Sequence, residues 1–144
     1  MQAVEPSPRF HLAILVRDLA AARSFYGDLL GCAEGRSSES WVDFDLGGHQ
    51  LVCHQSAAGA PPPQRNPVDG DPVPVPHFGL VFGLAEWRAL ADRLEARGVA
   101  FALPPHIRFA GTAGEQGTFF LHDPSGNALE FKGFADLGRV FQKF

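Results

Sequence analysis

The sequence predicts an α+β fold built from two β-α-β-β-β modules, and three observations carry that prediction. Two stretches start alike, FHLAILVRDL with His11 and PHFGLVFGLA with His77. Each apolar, strand-like run leads into a helical run that stops at a glycine, Gly31 in one case and Gly98 in the other. The histidines stand 66 residues apart and the stop glycines 67, the near-constant offset of a duplicated unit.

The first module is assigned to residues 8–56. Phe10 to Val16 is a short run rich in branched residues and reads as a strand. Asp18 is a good helix N-cap. Leu19, Ala22, Phe25, Tyr26, Leu29 and Leu30 follow at helical spacing, and Gly31 suits a left-handed position after the last turn. Trp41, Phe44 and Leu46 mark a strand, Gly47-Gly48 a turn, and His49 to Gln55 the hairpin partner. Residues 57–75 differ in kind. The stretch from Ser56 to Pro76 holds seven of the chain's 12 prolines, which remove donors and fix φ, so it reads as a connection or covering loop.

The second module, residues 76–134, repeats the plan. Pro76 to Phe82 is a strand, and Trp87, Leu90, Ala91 and Leu94 form a helical stripe ended by Gly98. Val99 to Leu103 and Thr118 to Leu121 read as strands. Asp123-Pro124-Ser125-Gly126 has the residue choices of a β-turn, and Ala128 to Phe131 is the returning strand.

Bulk properties narrow the function. The 144 residues suffice for one compact domain, 1–144, with a sizeable core. Apolar residues make up 45% and charged residues 19%, and the net charge of −4 points to neither nucleic acid nor an anionic membrane as partner. No apolar run approaches the roughly 20 residues of a membrane span. The start, MQAVEPSPRF, lacks the basic and apolar regions of a secretory leader. Cys32 and Cys53 form neither a disulfide framework nor a zinc knuckle, so the expectation is a cytoplasmic protein with reduced thiols.

The chemistry concentrates on three residues. Strand side chains alternate faces, so Ala128, Glu130 and Lys132 share one face of the last strand, with Leu129 and Phe131 on the other. Glu130 is a carboxylate in an apolar hairpin and needs a cation. Only Lys132 in the adjacent sequence offers one from the same face. His11, His77 and Glu130 together supply two imidazoles and one carboxylate. That set holds one face of an octahedral metal with positions left for substrate or oxygen, and it is also an accepted catalytic zinc set.

These features resemble the vicinal oxygen chelate superfamily, which contains glyoxalase I, extradiol dioxygenases, fosfomycin thiol transferases and bleomycin-binding proteins. The hairpin FFLHDPSGNALEF is the most specific part, with an Asp-Pro-x-Gly turn shortly before the ligand glutamate. The resemblance implies paired βαβββ modules forming a cupped, mostly antiparallel sheet around one metal, the glyoxalase/dioxygenase-like fold. It places His11, His77 and Glu130 at the ligand positions. Glyoxalase I adds a glutamate on the last strand of the first module, but the matching strand here, HQLVCHQ, has none, and Cys53 or a neighbour holds the inward position. The extradiol signature has a tyrosine where Phe120 stands, and its upstream histidine is missing from GTAGEQG. The basic cluster that binds phosphonate in the thiol transferases is not evident.

The leading expectation is therefore a metal-dependent enzyme on a small oxygenated organic molecule, with Fe(II) oxygenase chemistry first. The alternatives are a glyoxalase-type lyase or isomerase using Zn²⁺, Ni²⁺ or Mn²⁺, and a metal-free small-molecule binding module of the resistance type. The modules pair within one chain or swap across a homodimer.

The remaining candidates each have two readings. Arg108 is a clamp for a substrate carboxylate and His106 a proton carrier, or both sit in a polar surface loop before the glycine-rich stretch Gly111 to Gly117. His54 is an acid/base group if it points inward, or an edge histidine in solvent if the register places it outward. Trp41 and Phe120 line an apolar substrate pocket or are core aromatics. Cys53 is a thiol near the metal or a small buried hydrophobe.

Overall fold

The computed structural model describes residues 7–143. Residues 1–6, part of the stretch read for a leader, and residue 144 lie outside them. The chain divides into two compact units, 1–60 and 61–144. No described helix is long and apolar enough to cross a membrane.

Unit 1 runs β1 (His11–Val16), α1 (Leu19–Ala22) continuing into a wider π-helical stretch (Arg23–Leu29), β2 (Ala33–Ser37), β3 (Trp41–Leu46) and β4 (His49–Gln55). Asp18 caps α1 as expected, its Oδ1 accepting from Ala20 N at 2.9 Å. The helical run then loosens. Leu30 N donates to Phe25 O, five residues back, at 3.0 Å. Gly31 ends it with φ of 79°. The four strands form one sheet in the order β1-β4-β3-β2, with β1 parallel to β4 and the others antiparallel. Strand β2, AEGRS, is polar and exposed throughout, which is why hydrophobic pattern alone does not locate it. One sheet face buries Val42, Phe44, Leu51 and Cys53 with Phe25 and Tyr26 of the helix.

Unit 2 contains β5 (Gln64–Val68), β6 (Asp71–Val75), β7 (Phe78–Gly83), α2 (Leu84–Ala96), β8 (Leu103–Arg108), β9 (Gln116–His122) and β10 (Ala128–Phe134). The order β7-β10-β9-β8 repeats that of unit 1, with β7 parallel to β10. The expected helix stripe buries Trp87, Ala91 and Leu94. Trp87 lies across the sheet, its Nε1 donating to Phe131 O at 2.9 Å. Gly117 and Gly133 make room for its indole: a Cβ at either would lie 2.6 and 2.5 Å from Trp87 atoms.

Val99 to Leu103, read as a strand, is strand only at Leu103, where β8 begins, and two further expectations are corrected. The proline-rich connection is a β-hairpin, β5 paired with β6. Its two-residue turn, Asp69-Gly70, has φ of 47° and 86°, the doubly positive turn that Asp-Gly favours. Antiparallel pairs alternate between bonded and non-bonded positions outward from such a turn, and Pro67, Pro72 and Pro74 all fall in the non-bonded pairs. Nothing in the ladder therefore misses their absent N–H groups. The second correction concerns PPHIRFAG. Its first five residues, Pro104 to Arg108, belong to edge strand β8 rather than a loop, with a register irregularity between Leu103 and His106 that accommodates Pro104 and Pro105.

Candidate metal and acid/base site

In each unit one sheet face packs on its helix and the other does not. Cross-strand partners share a face, so the open face of unit 2 carries Glu130 with Phe120 and Gly79, Lys132 with Thr118 and Val81, and His106 and Arg108 opposite Thr118 and Gln116. His77 immediately precedes β7.

Glu130 is buried, with partners at both oxygens. Its Oε2 accepts from Arg108 Nη1 at 3.0 Å and from Thr118 Oγ1 at 2.5 Å. Its Oε1 lies 3.0 Å from His77 Nε2 and 3.9 Å from Lys132 Nζ. Burial raises this carboxyl, but the hydrogen bonds from His77 and Thr118 and the charges of Lys132 and Arg108 outweigh it, holding the group below its usual value. The cation that hydrogen-bonds Glu130 is Arg108, 22 residues away in sequence and only 2% exposed, while the neighbouring Lys132 acts from 3.9 Å. Arg108 bridges two carboxylates, since its Nη2 donates to Asp71 Oδ2 at 3.0 Å. It is buried rather than a surface residue, and both terminal nitrogens are engaged by carboxylates.

His77 is fixed from both sides. Its Nδ1 donates to Pro74 O at 2.6 Å, because a carbonyl can only accept. In a neutral imidazole that leaves Nε2 as a lone pair facing Glu130 Oε1, and two acceptors 3.0 Å apart require something positive between them. A proton satisfies the requirement. Accordingly, the hydrogen bond to Glu130 raises the His77 pKa, burial opposes it, and the Pro74 carbonyl adds to the rise. A divalent ion satisfies it equally. Two ligands about 2.1 Å from one ion are about 3.0 Å apart at a right angle and about 3.4 Å apart at a tetrahedral angle. The observed spacing thus fits adjacent positions of an octahedral ion. The Pro74 carbonyl behind His77 and the Thr118 and Arg108 donors behind Glu130 fix the orientation of this imidazole and this carboxylate, as outer partners do at sites able to hold an ion.

His11 belongs to unit 1. It is exposed, and its Nδ1 lies 2.8 Å from Gln50 Oε1. Gln50 is oriented in turn by Asp43, whose Oδ2 accepts from Gln50 Nε2 at 3.1 Å. This relay also leaves His11 Nε2 as the open nitrogen. Among the described residues, no group of three or more His, Cys, Asp or Glu is gathered so as to hold a metal ion. The gathered pair is His77 with Glu130.

The other candidates separate clearly. Phe120 stands beside the pair, its ring edge-on to His77 at 5.1 Å and 5.9 Å from the Arg108 guanidinium. His106 donates through Nδ1 to Pro104 O at 2.6 Å, and its Nε2 lies 2.7 Å from Asp71 Oδ2. It serves the hairpin rather than Glu130. Trp41 and His54 pair across β3 and β4 on the open face of unit 1, with His54 exposed. Cys53 is fully buried, opposite Val42 and Ile14 on the helix side. The position equivalent to Glu130 is Val52, since it pairs with the residue two after His11 just as Glu130 pairs with the residue two after His77. Asp43, Gln50, Asp71 and Thr118 were not singled out from sequence. Asp69-Gly70 was the available signal for the hairpin carrying Asp71. The other three are single polar residues whose roles depend on cross-strand register.

Comparison with known proteins gives the family. The sequence model of the Glyoxalase/Bleomycin resistance protein/Dioxygenase superfamily matches residues 10–131. A glyoxalase/bleomycin resistance protein/dioxygenase from Alicyclobacillus acidocaldarius is 37% identical with a TM-score of 0.76, over 95% of this chain and 98% of that one. Lactoylglutathione lyase from Agrobacterium tumefaciens is 21% identical with a TM-score of 0.64, over 96% and 98%. The fosfomycin resistance protein FosX from Listeria monocytogenes is 18% identical with a TM-score of 0.65, over 95% and 100%. The last two likenesses show the fold. No curated protein matches the sequence. Duplicated topology, family match and the 37% identical structure agree: the chain belongs to the glyoxalase/bleomycin resistance protein/dioxygenase superfamily.

Proposed function

We propose that this chain is a divalent-metal-dependent enzyme acting on a small oxygenated organic molecule, with His11, His77 and Glu130 as the metal ligands. Its superfamily includes metal-dependent enzymes and resistance proteins. The observation that carries the reading is His77 Nε2 facing Glu130 Oε1 at 3.0 Å while Nδ1 is tied to Pro74 O. When bound, such an ion supplies Lewis acidity and open positions for a chelating substrate. The chain's own residues do the rest. Thr118 and Arg108 hold Glu130 to one presented oxygen, Gln50 turns the His11 ring, and Phe120 gives the site an apolar wall.

Two histidines and one carboxylate favour Fe(II) oxygenase chemistry as the first reading. A glyoxalase-type lyase or isomerase on Zn²⁺, Ni²⁺ or Mn²⁺ is the second, and a specific observation favours it. Asp43 is a buried carboxylate on the open face of unit 1, directly opposite Val52 and one hydrogen bond from the partner of His11. It is a candidate proton acceptor in a half that lacks a carboxylate at position 52.

Metal analysis of protein purified without chelator, beside a His77→Ala control, tests the assignment. We expect near-stoichiometric metal in the wild type and its loss in the control. Iron with oxygen uptake on catechol-like or keto-acid substrates selects the oxygenase. Zinc, nickel or manganese with oxygen-independent turnover selects the lyase. Wild-type protein that takes up no divalent metal overturns the proposal and leaves a metal-free binding module.

A further inference from the structure

Arg108 joins two carboxylates of unit 2 from a buried position. It is 2% exposed, and its Nη1 and Nη2 reach Glu130 and Asp71 at 3.0 Å each. Its Nε is buried with no hydrogen-bond partner among the described residues. A buried guanidinium with one unsatisfied N–H is costly, so the two carboxylates are what keep it there. One of those carboxylates is the one assigned above as a metal ligand. The other, Asp71, sits on β6 of the proline-rich hairpin. The same strand supplies Pro74 O to His77. One hairpin strand therefore holds the outer ends of Arg108 and His77, two of the side chains that hold Glu130.

Resting on the metal reading above, we propose that Arg108 is a built-in counter-ion that competes with a divalent cation for Glu130, and that Asp71 sets the strength of this competition. Like charges repel at these distances, so the guanidinium on Oε2 weakens the attraction of Oε1 for a metal ion. Asp71 offsets part of that field and draws Arg108 toward the hairpin. The site's cation affinity is thus tuned by an ion pair outside the ligand set. The reciprocal consequence is that a cation at Glu130 frees Arg108 for Asp71 and fastens the hairpin.

Two substitutions have opposite expected signs. Arg108→Met removes the competing charge, and divalent affinity rises tenfold or more. Asp71→Asn keeps the shape of the hairpin anchor but removes its charge, leaving Arg108 to Glu130 alone, and affinity falls several-fold. Isothermal titration of the metal-free full chain with Mn²⁺ and then Zn²⁺ at fixed pH reads both, with His77→Ala as the site control. Tighter binding in Arg108→Met and weaker binding in Asp71→Asn support the competition. Wild-type binding with both variants within twofold of it overturns the competition but leaves the metal reading standing. Weaker binding in both variants also overturns it, because Arg108 then only positions Glu130. If Arg108→Met does not fold, Arg108→Gln, which keeps a polar side chain without the charge, takes its place, with tighter binding supporting the proposal and unchanged or weaker binding overturning it. Wild type that binds neither ion overturns the metal reading, and this inference with it.

Discussion

The two units repeat one topology and one histidine, yet they place their carboxylates differently. In unit 1 the cross-strand pair on the open face is Val52 with Asp43, and in unit 2 it is Glu130 with Phe120. The apolar and acidic members have exchanged strands. The consequence follows from distance along the sheet. Glu130, on the strand parallel to β7, touches His77 directly at 3.0 Å. Asp43, one strand further out, reaches His11 only through Gln50. Their charges are met differently as well. Glu130 has a buried guanidinium, whereas the cation near Asp43 is Arg36, 82% exposed and 3.9 Å away. A contact of that kind contributes little. The duplication thus keeps backbone and imidazole in both halves and builds a closed ionic centre in only one.

The sharpest way to break the contrast is to give unit 2 the residue of unit 1. Glu130→Val removes the partner of His77, Thr118 and one arm of Arg108 together. A buried guanidinium stripped of one carboxylate makes this the largest expected loss, about 3–5 kcal/mol. Urea unfolding of the metal-free protein measures it. A loss below about 1 kcal/mol would mean that Glu130 is no more embedded than Asp43.

Glycine sharpens the comparison where each helix meets its sheet. Gly133→Ala puts a Cβ 2.5 Å from Trp87, and nothing in the indole's packed surroundings yields cheaply. We expect a loss of about 1–3 kcal/mol. In unit 1, Gly27→Ala meets Phe44 at 3.9 Å, an ordinary contact, and is expected to change stability by no more than about 1 kcal/mol in either direction. Thermal unfolding of both variants compares them directly. Equal losses would mean that Trp87 is not the tight wedge of unit 2.

Much of this was legible in the residues. The repeat of strand, helix and stop glycine gives the two-module plan because backbone topology follows hydrophobic period and turn chemistry, both local signals. His77 and Glu130 stood out because each is a polar group in an apolar strand context. What sequence did not reveal is who faces whom. Arg108 reads as a clamp or as part of a polar surface loop because it precedes the glycine-rich stretch, and only its place on edge strand β8 shows a buried guanidinium. The prolines of the connection hid a hairpin for a related reason: composition says that donors are missing, not that they are missing at the positions where none is needed. Cys53 and Val52 differ by one residue of register, which decides between helix side and open side.

The smallest expected effect concerns that hairpin. Asp71 fastens β6 to β8 through Arg108 and His106. Burial raises its carboxyl, but the hydrogen bonds from His106 and Arg108, aided by their charges, hold it below the ordinary value of 3.8. A carboxyl that is lower when folded stabilises the protein fully above its unfolded value and loses that contribution as pH falls through the folded one. Asp71→Asn therefore lowers Tm by a few degrees near pH 6, equivalent to about 1 kcal/mol for a group still partly open to solvent. The gap between wild type and variant closes as the pH is taken down below 3.8. Thermal scans of both proteins across that range give the result. A gap that stays constant down to the acid limit would show that the loss does not come from the charge of Asp71, and that the ionic centre of unit 2 ends at Arg108.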